Sequence, residues 1–157
     1  MEPDQKPDRP GVLAPPPVLY AAALAVGMLL EWVLPLADLP TAPALAIGVV
    51  LVVAGSALGI WFLATFRRAG TPVDVTKPTE RIVTSGPFRF SRNPGYVSLT
   101  VIYAGVAIAA ESIWAIILLP PVVYLVRRTV IEREERYLER KFGDEYVSYK
   151  ARTRRWI

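Results

Sequence analysis

The chain contains neither cysteine nor histidine, and these two absences exclude several kinds of site. Without cysteine there is no disulfide, thiolate metal site, iron–sulfur cluster or cysteine nucleophile. Without histidine there is no imidazole general base, no ordinary haem ligand and no HExxH zinc site. Any chemistry must therefore use carboxylates, arginines, tyrosines, amides and a bound cofactor, and we expect no metal site.

Charge is also scarce, because only 20% of the 157 residues are charged whereas 53% are hydrophobic. The apolar residues collect in long runs instead of alternating with polar ones, which is typical of membrane helices. The runs predict membrane spans at about residues 17–36, 42–66, 94–110 and 112–126. We therefore predict an all-α integral membrane protein with about four transmembrane helices and a cytoplasmic, amphipathic C-terminal helical segment.

The last two spans come from one apolar stretch, residues 94–126, whose single charge is Glu111. The stretch is too long for one span and barely long enough for two. We interpret it as a helical hairpin that turns at residues 110–112. Pro120 and Pro121 should bend or break the returning helix, because proline removes a helical hydrogen bond.

The distribution of lysine and arginine predicts the topology. All 18 cations fall in residues 1–16, 67–93 and 127–157, whereas the two remaining turns carry only Asp38 and Glu111. The positive-inside rule places both termini and the middle loop in the cytoplasm. We expect residues 1–16 to be a disordered tail and the rest to form one membrane domain. Lipid headgroups explain the net charge of +4 better than nucleic acid, which we do not expect as a partner.

The end of the middle loop is the first candidate site. Pro94 suits the first turn of a membrane helix, and Asn93 before it is a natural N-cap. An anion beside Arg92 would meet both the guanidinium group and the free N–H groups of the helix. Alternatively, Arg89 and Arg92 only anchor the loop to lipid phosphates.

The C-terminal tail contains the second candidate site. Ile131, Leu138 and Phe142 form an apolar stripe at helical spacing, and Glu134 and Glu135 fall on or beside it. Two acids on an apolar face cost free energy unless cations or hydroxyl donors meet them. They could bind a ligand, or they could form salt bridges with arginines of the loop or tail for structure alone.

Aromatic residues follow at the end of the tail. Gly143 is a plausible helix stop, and Tyr146 and Tyr149 share one face of the helix that should follow. With Trp156 they would also suit an anchor in the headgroup layer. Glu31, near the outer end of the first span, is expected to be interfacial as well.

In this order, these residues resemble the isoprenylcysteine carboxyl methyltransferase and phospholipid methyltransferase superfamily of membrane enzymes. The resemblance covers roughly residues 71–156, and the order and spacing of its parts are more specific than any one part. The matching parts are Gly86-Pro87-Phe88, Arg92-Asn93-Pro94-x-Tyr96, a hydrophobic hairpin, Glu134-Glu135, Phe142-Gly143 and Glu145-Tyr146-x-x-Tyr149.

The resemblance implies that S-adenosyl-L-methionine binds between the last two membrane helices and the C-terminal segment. Arg92 would bind the methionine carboxylate, while Glu134 and Glu135 would meet the ribose hydroxyls, the amino group or the sulfonium charge. Arg92 and Glu135 are the expected catalytic residues. The remaining residues implied in the cofactor site are Asn93, Tyr96, Phe142 and Tyr146, with Gly105 allowing a close approach.

Two departures from the superfamily concern the methyl acceptor. Many members have histidine at the position of Asn93, and the eukaryotic prenylcysteine enzymes have glycine at the position of Ser98. The resemblance to bacterial members implies a protein of the bacterial inner membrane that methylates a lipidic acceptor entering from the bilayer. The alternatives are an NADPH-dependent membrane reductase of the sterol-reductase type and a membrane protein without enzymatic activity.

Overall fold

The computed structural model describes residues 15–37, 40–70 and 81–157. Within these ranges the chain forms helices and no strand, which confirms the predicted all-α fold. The predicted disordered tail lies outside the described residues except for Pro15 and Pro16, and so does the part of the middle loop at residues 71–80.

The helices follow the predicted spans closely. Three helices, α1, α2 and the continuous helix Ile113–Phe142, are long and apolar enough to cross a membrane, and α3 is a shorter apolar helix. The helical elements are α1 (Pro16–Val33), α2 (Thr41–Ala69), a short 3-10 helix (Gly86–Arg89), α3 (Pro94–Ala109), α4 (Ile113–Val126), a π-helical turn (Arg127–Ile131), α5 (Glu132–Phe142) and α6 (Asp144–Arg152).

Helix α2 packs tightly along α3 because glycines of both helices face each other. A Cβ atom at Gly48 would lie 2.5 Å from the carbonyl oxygen of Gly105. A Cβ atom at Gly105 would in turn lie 2.7 Å from the carbonyl oxygen of Gly48. Small residues at such a contact let two membrane helices approach backbone to backbone.

The hairpin between α3 and α4 turns where the sequence predicts it, with Glu111 in the left-handed region at φ 56°. Glu31 of α1 supports this turn, because its Oε2 accepts a hydrogen bond of 3.0 Å from the Trp114 backbone N–H. The Ser112 hydroxyl also accepts a hydrogen bond of 3.2 Å from the Ala115 N–H. Glu31 therefore lies near the end of α1 and also binds the backbone N–H groups at the start of α4.

We expected Pro120 and Pro121 to bend or break the returning helix, and the expected break is wrong because α4 continues through both residues. Proline keeps a φ angle close to the helical value, and neighbouring helices help to compensate for its missing hydrogen bond. The chain then passes through the π-helical turn into α5, and the helix ends at Phe142 close to the predicted position.

The C-terminal tail folds back onto the middle loop and the end of α2. Gly143 has a φ angle of 52°, which confirms the predicted helix stop, and α6 begins at the next residue. Tyr146 and Tyr149 of α6 pack with Phe88 in a buried cluster, and Phe62 of α2 lies against that cluster. The tail is therefore part of the folded domain and closes one end of the helix bundle.

The outer faces of α1 and α2 carry many exposed large apolar side chains, such as Leu29, Val50 and Ile60. Exposing such side chains to water costs free energy, whereas the hydrocarbon of a bilayer accommodates them.

The glycine contact between α2 and α3 should be sensitive to a single methyl group. We expect Gly48→Ala to lower the melting temperature in detergent, because overpacking of this kind costs about 1–3 kcal/mol. Ala57→Val, which adds two methyl groups on an exposed part of the same helix, should have little effect. Equal melting temperatures for the wild type and Gly48→Ala would show that the close contact does not form.

Candidate functional site

The turn before α3 is fixed by the C-terminal segment. The Arg92 backbone N–H donates a hydrogen bond of 2.9 Å to the Arg154 carbonyl oxygen. The Asn93 side-chain amide donates a hydrogen bond of 2.9 Å to the Arg155 carbonyl oxygen. Asn93 occupies the N-cap position, but its side chain does not cap the helix as predicted, because it binds the tail instead.

Two arginines share the carboxylate of Glu135. Nη2 of Arg92 lies 3.3 Å from its Oε1 atom. Arg155 contacts both oxygens, with Nε–Oε1 at 3.0 Å and Nη2–Oε2 at 2.6 Å. The Glu135 side chain is only 7% exposed, so this ionic cluster is shielded from water and depends on its mutual contacts.

Arg92 keeps unused hydrogen-bonding capacity at this point. Its Nε and Nη1 atoms are buried and have no hydrogen-bond partner among the residues that the structure describes. Buried guanidinium N–H groups are rarely left without acceptors, because the loss of their hydration is costly. An anion bound beside Arg92 would supply the missing acceptors.

Glu134 has a different environment from its neighbour. Its Oε2 atom accepts a hydrogen bond of 2.9 Å from the Tyr96 hydroxyl, and no ion pair with it is seen in the described ranges. Glu134 also lines a cavity at this end of the helix bundle. It is therefore a carboxylate available to a cationic or hydroxyl-bearing ligand, whereas Glu135 is already neutralised by arginines.

A cavity of about 520 Å³ lies at this end of the bundle, where α2 ends and α3 begins. One side is polar and contains Arg92, Glu134 and Glu135, while residues of α1, α2 and α3 form apolar walls. The apolar lining includes Pro16, Pro17, Phe62, Leu63, Phe66 and Leu99. The volume is within the range of about 300–1,000 Å³ that is usual for small-molecule sites.

Most of the predicted site residues meet at this cavity. Gly105 does not, because it contacts α2 at Gly48, and we leave it out of the proposed cofactor site. Phe142 does not line the cavity either and packs behind the wall against the aromatic cluster of Phe88 and Tyr146. The predicted residues on the cavity wall are Arg92, Asn93, Tyr96, Glu134, Glu135 and Tyr146.

The two tyrosines of α6 are buried phenols instead of headgroup anchors. Burial raises the pKa of Tyr149 to about 12, although the nearby positive charge of Arg92 lowers it. Burial and the charge of Glu135 also raise the pKa of Tyr146. Both phenols remain protonated at neutral pH, and the Tyr149 hydroxyl donates a hydrogen bond of 2.8 Å to the Phe88 carbonyl oxygen.

Sequence reasoning did not single out Arg155 or the α2 residues of the cavity wall. Arg155 is one of several arginines in the tail, and no spacing distinguishes it from Arg154. Phe62 and Phe66 lie in an uninterrupted apolar run, in which residues that face lipid and residues that face a cavity have the same composition.

Long apolar helices with a buried ionic cluster and a cavity at one end are typical of a helical membrane protein. A family model described as phospholipid methyltransferase matches residues 43–145, from the start of α2 to the start of α6. The match covers more than half of the chain, and the protein belongs to this family of integral membrane proteins. This confirms the resemblance found in the sequence.

An uncharacterized protein of Haemophilus influenzae is 51% identical to the chain over 35 residues. This match covers 22% of the chain and 56% of that protein, so the chain spans about half the length of this relative. No solved structure matches the chain significantly.

Because Glu134 and Glu135 have different environments, we expect their substitutions to affect stability differently. Glu135→Gln should lower the melting temperature clearly, because removing one partner from a buried ionic cluster costs about 3–5 kcal/mol. Glu134→Gln should change it little, since no arginine among the described residues pairs with Glu134. Thermal unfolding in detergent without ligand measures both, and equal effects would contradict this division of roles.

Proposed function

We propose that this protein transfers a methyl group from S-adenosyl-L-methionine to a lipidic or membrane-associated acceptor. The observation that carries the proposal is a cavity whose wall includes both Arg92, with two donors that lack partners among the described residues, and Glu134, which forms no ion pair within those residues. Membership of the phospholipid methyltransferase family supports the reaction type.

The charges of the cavity suit this cofactor, which combines a carboxylate with an ammonium and a sulfonium group. Nε and Nη1 of Arg92 would hold the carboxylate through charge-assisted hydrogen bonds. Glu134, oriented by the Tyr96 hydroxyl, would face one of the cationic groups. Asn93 and Tyr146 would shape the wall between them.

When bound, the cofactor supplies a methyl carbon that its sulfonium already activates. The residues of the chain then need to orient the two reactants and exclude water, and a strong acid–base pair is not required. The buried ionic cluster fixes one side of the cavity, and the aromatic residues of α2 and α6 close another. A site without histidine or cysteine can work in this way with an acceptor that is already nucleophilic.

We propose that α1, α2, α3 and α4 each cross the membrane, with both termini and the middle loop in the cytoplasm. The positive-inside rule supports this orientation, which places the cavity at the inner surface of a bacterial plasma membrane. The cavity wall includes Pro17 at the start of α1 and Leu63, which lies about one and a half turns before the end of α2. An acceptor with an apolar chain would enter laterally along these walls.

Titration calorimetry in detergent tests the cofactor. S-adenosyl-L-methionine should bind and NADPH should not. Glu134→Gln should weaken binding by about tenfold because it removes one charge-assisted interaction. Glu132→Gln, on the same helix but paired with the exposed Arg127 and Arg128, should bind like the wild type.

The outcomes separate the candidate functions. Binding of NADPH in place of S-adenosyl-L-methionine would favour a reductase, and binding of neither would contradict an enzyme of either kind. Mass spectrometry of membrane lipids from cells with and without the protein tests the acceptor, because a methylated lipid gains the mass of one CH₂ group.

A further inference from the structure

Arg155 does not line the cavity, yet it makes the most extensive contact with Glu135. Its Nε and Nη2 atoms contact the two carboxylate oxygens at 3.0 and 2.6 Å. Arg92, which does line the cavity, contacts Glu135 only through Nη2 at 3.3 Å. Arg155 therefore makes the stronger contact with Glu135, although only Arg92 lines the cavity.

This asymmetry decides what Arg92 can do. A planar guanidinium group binds a carboxylate most strongly through two parallel hydrogen bonds. The face of Glu135 that offers both oxygens is taken by Arg155. Arg92 consequently keeps Nε and Nη1 without partners among the described residues.

The stoichiometry of the cluster supports the same conclusion. Two guanidinium groups share the single carboxylate of Glu135, so Arg92 does not have this acceptor to itself. Without Arg155, Glu135 would neutralise Arg92, and Arg92 would be free to turn toward both of its oxygens. A bound anion would then have to compete with Glu135 for the same N–H groups.

We propose that Arg155 is a positioning residue that occupies Glu135 and thereby keeps Arg92 available for the carboxylate of the bound ligand. This inference rests on the proposed function, because it takes the ligand to be S-adenosyl-L-methionine. Arg155 acts through Glu135 and Arg92 and does not contact the ligand.

The backbone contacts of the tail allow this role to be tested without unfolding the site. The Arg155 carbonyl oxygen accepts hydrogen bonds from the Asn93 amide at 2.9 Å and the Ser91 hydroxyl at 3.3 Å. These contacts do not involve the Arg155 side chain. Arg155→Met retains them, keeps the side-chain bulk and leaves Glu135 paired with Arg92.

The test compares S-adenosyl-L-methionine with its decarboxylated form, which keeps the adenosine, sulfonium and amino groups. Arg155→Met should weaken binding of S-adenosyl-L-methionine about tenfold, since one charge-assisted interaction is lost. Binding of the decarboxylated form should stay within about twofold of the wild type. Arg155→Lys should restore part of the loss, and Arg154→Met, at the exposed neighbouring arginine, should have no effect.

The other outcomes distinguish the proposed role of Arg155 from a purely structural one. An equal loss for both ligands would assign Arg155 a purely structural role, and unchanged binding of both would overturn the inference directly. If the wild type binds neither ligand, the proposed function fails. In that case the inference is tested by the rise in melting temperature that inorganic phosphate causes. The rise should be seen in Arg154→Met and should be lost in Arg155→Met. A rise in both variants would overturn the inference.

Discussion

The carboxylate of Glu135 lies between Arg92 at the start of α3 and Arg155 near the end of the chain. Burial makes a cationic partner for Glu135 necessary, since a carboxylate left alone in such a place would be strongly destabilising. The cluster joins the middle loop, the helix that leaves α4 and the C-terminal segment, and it does so on the wall of the cavity. This ionic cluster thus helps to hold the tail in place and also contributes charged groups to the cavity wall.

Much of the fold could be predicted because a bilayer imposes simple rules on sequence. Long apolar runs predict helices, and the position of Glu111 predicts the turn between α3 and α4. Gly143 predicts the end of α5 because glycine adopts the positive φ angle found there. The prolines at 120 and 121 show the limit of local rules, since they do not interrupt α4.

The candidate site could be predicted only in part. Arg92, Glu134 and Glu135 stand out because charges beside an apolar stripe need partners. The choice of partners depends on three-dimensional packing, so the sequence does not distinguish Arg155 from Arg154 or assign Tyr96 to Glu134. Gly105 illustrates the converse case, because a small residue predicts a close contact without indicating that the neighbour is α2.

An experimental structure with bound S-adenosylhomocysteine, the product of the proposed reaction, would show directly whether Arg92 binds the ligand. We expect the ligand carboxylate to lie about 3 Å from Nε and Nη1 of Arg92. We also expect Glu135 to remain between Arg92 and Arg155. A ligand bound elsewhere, or a Glu135 side chain that points into water away from both arginines, would contradict these expectations.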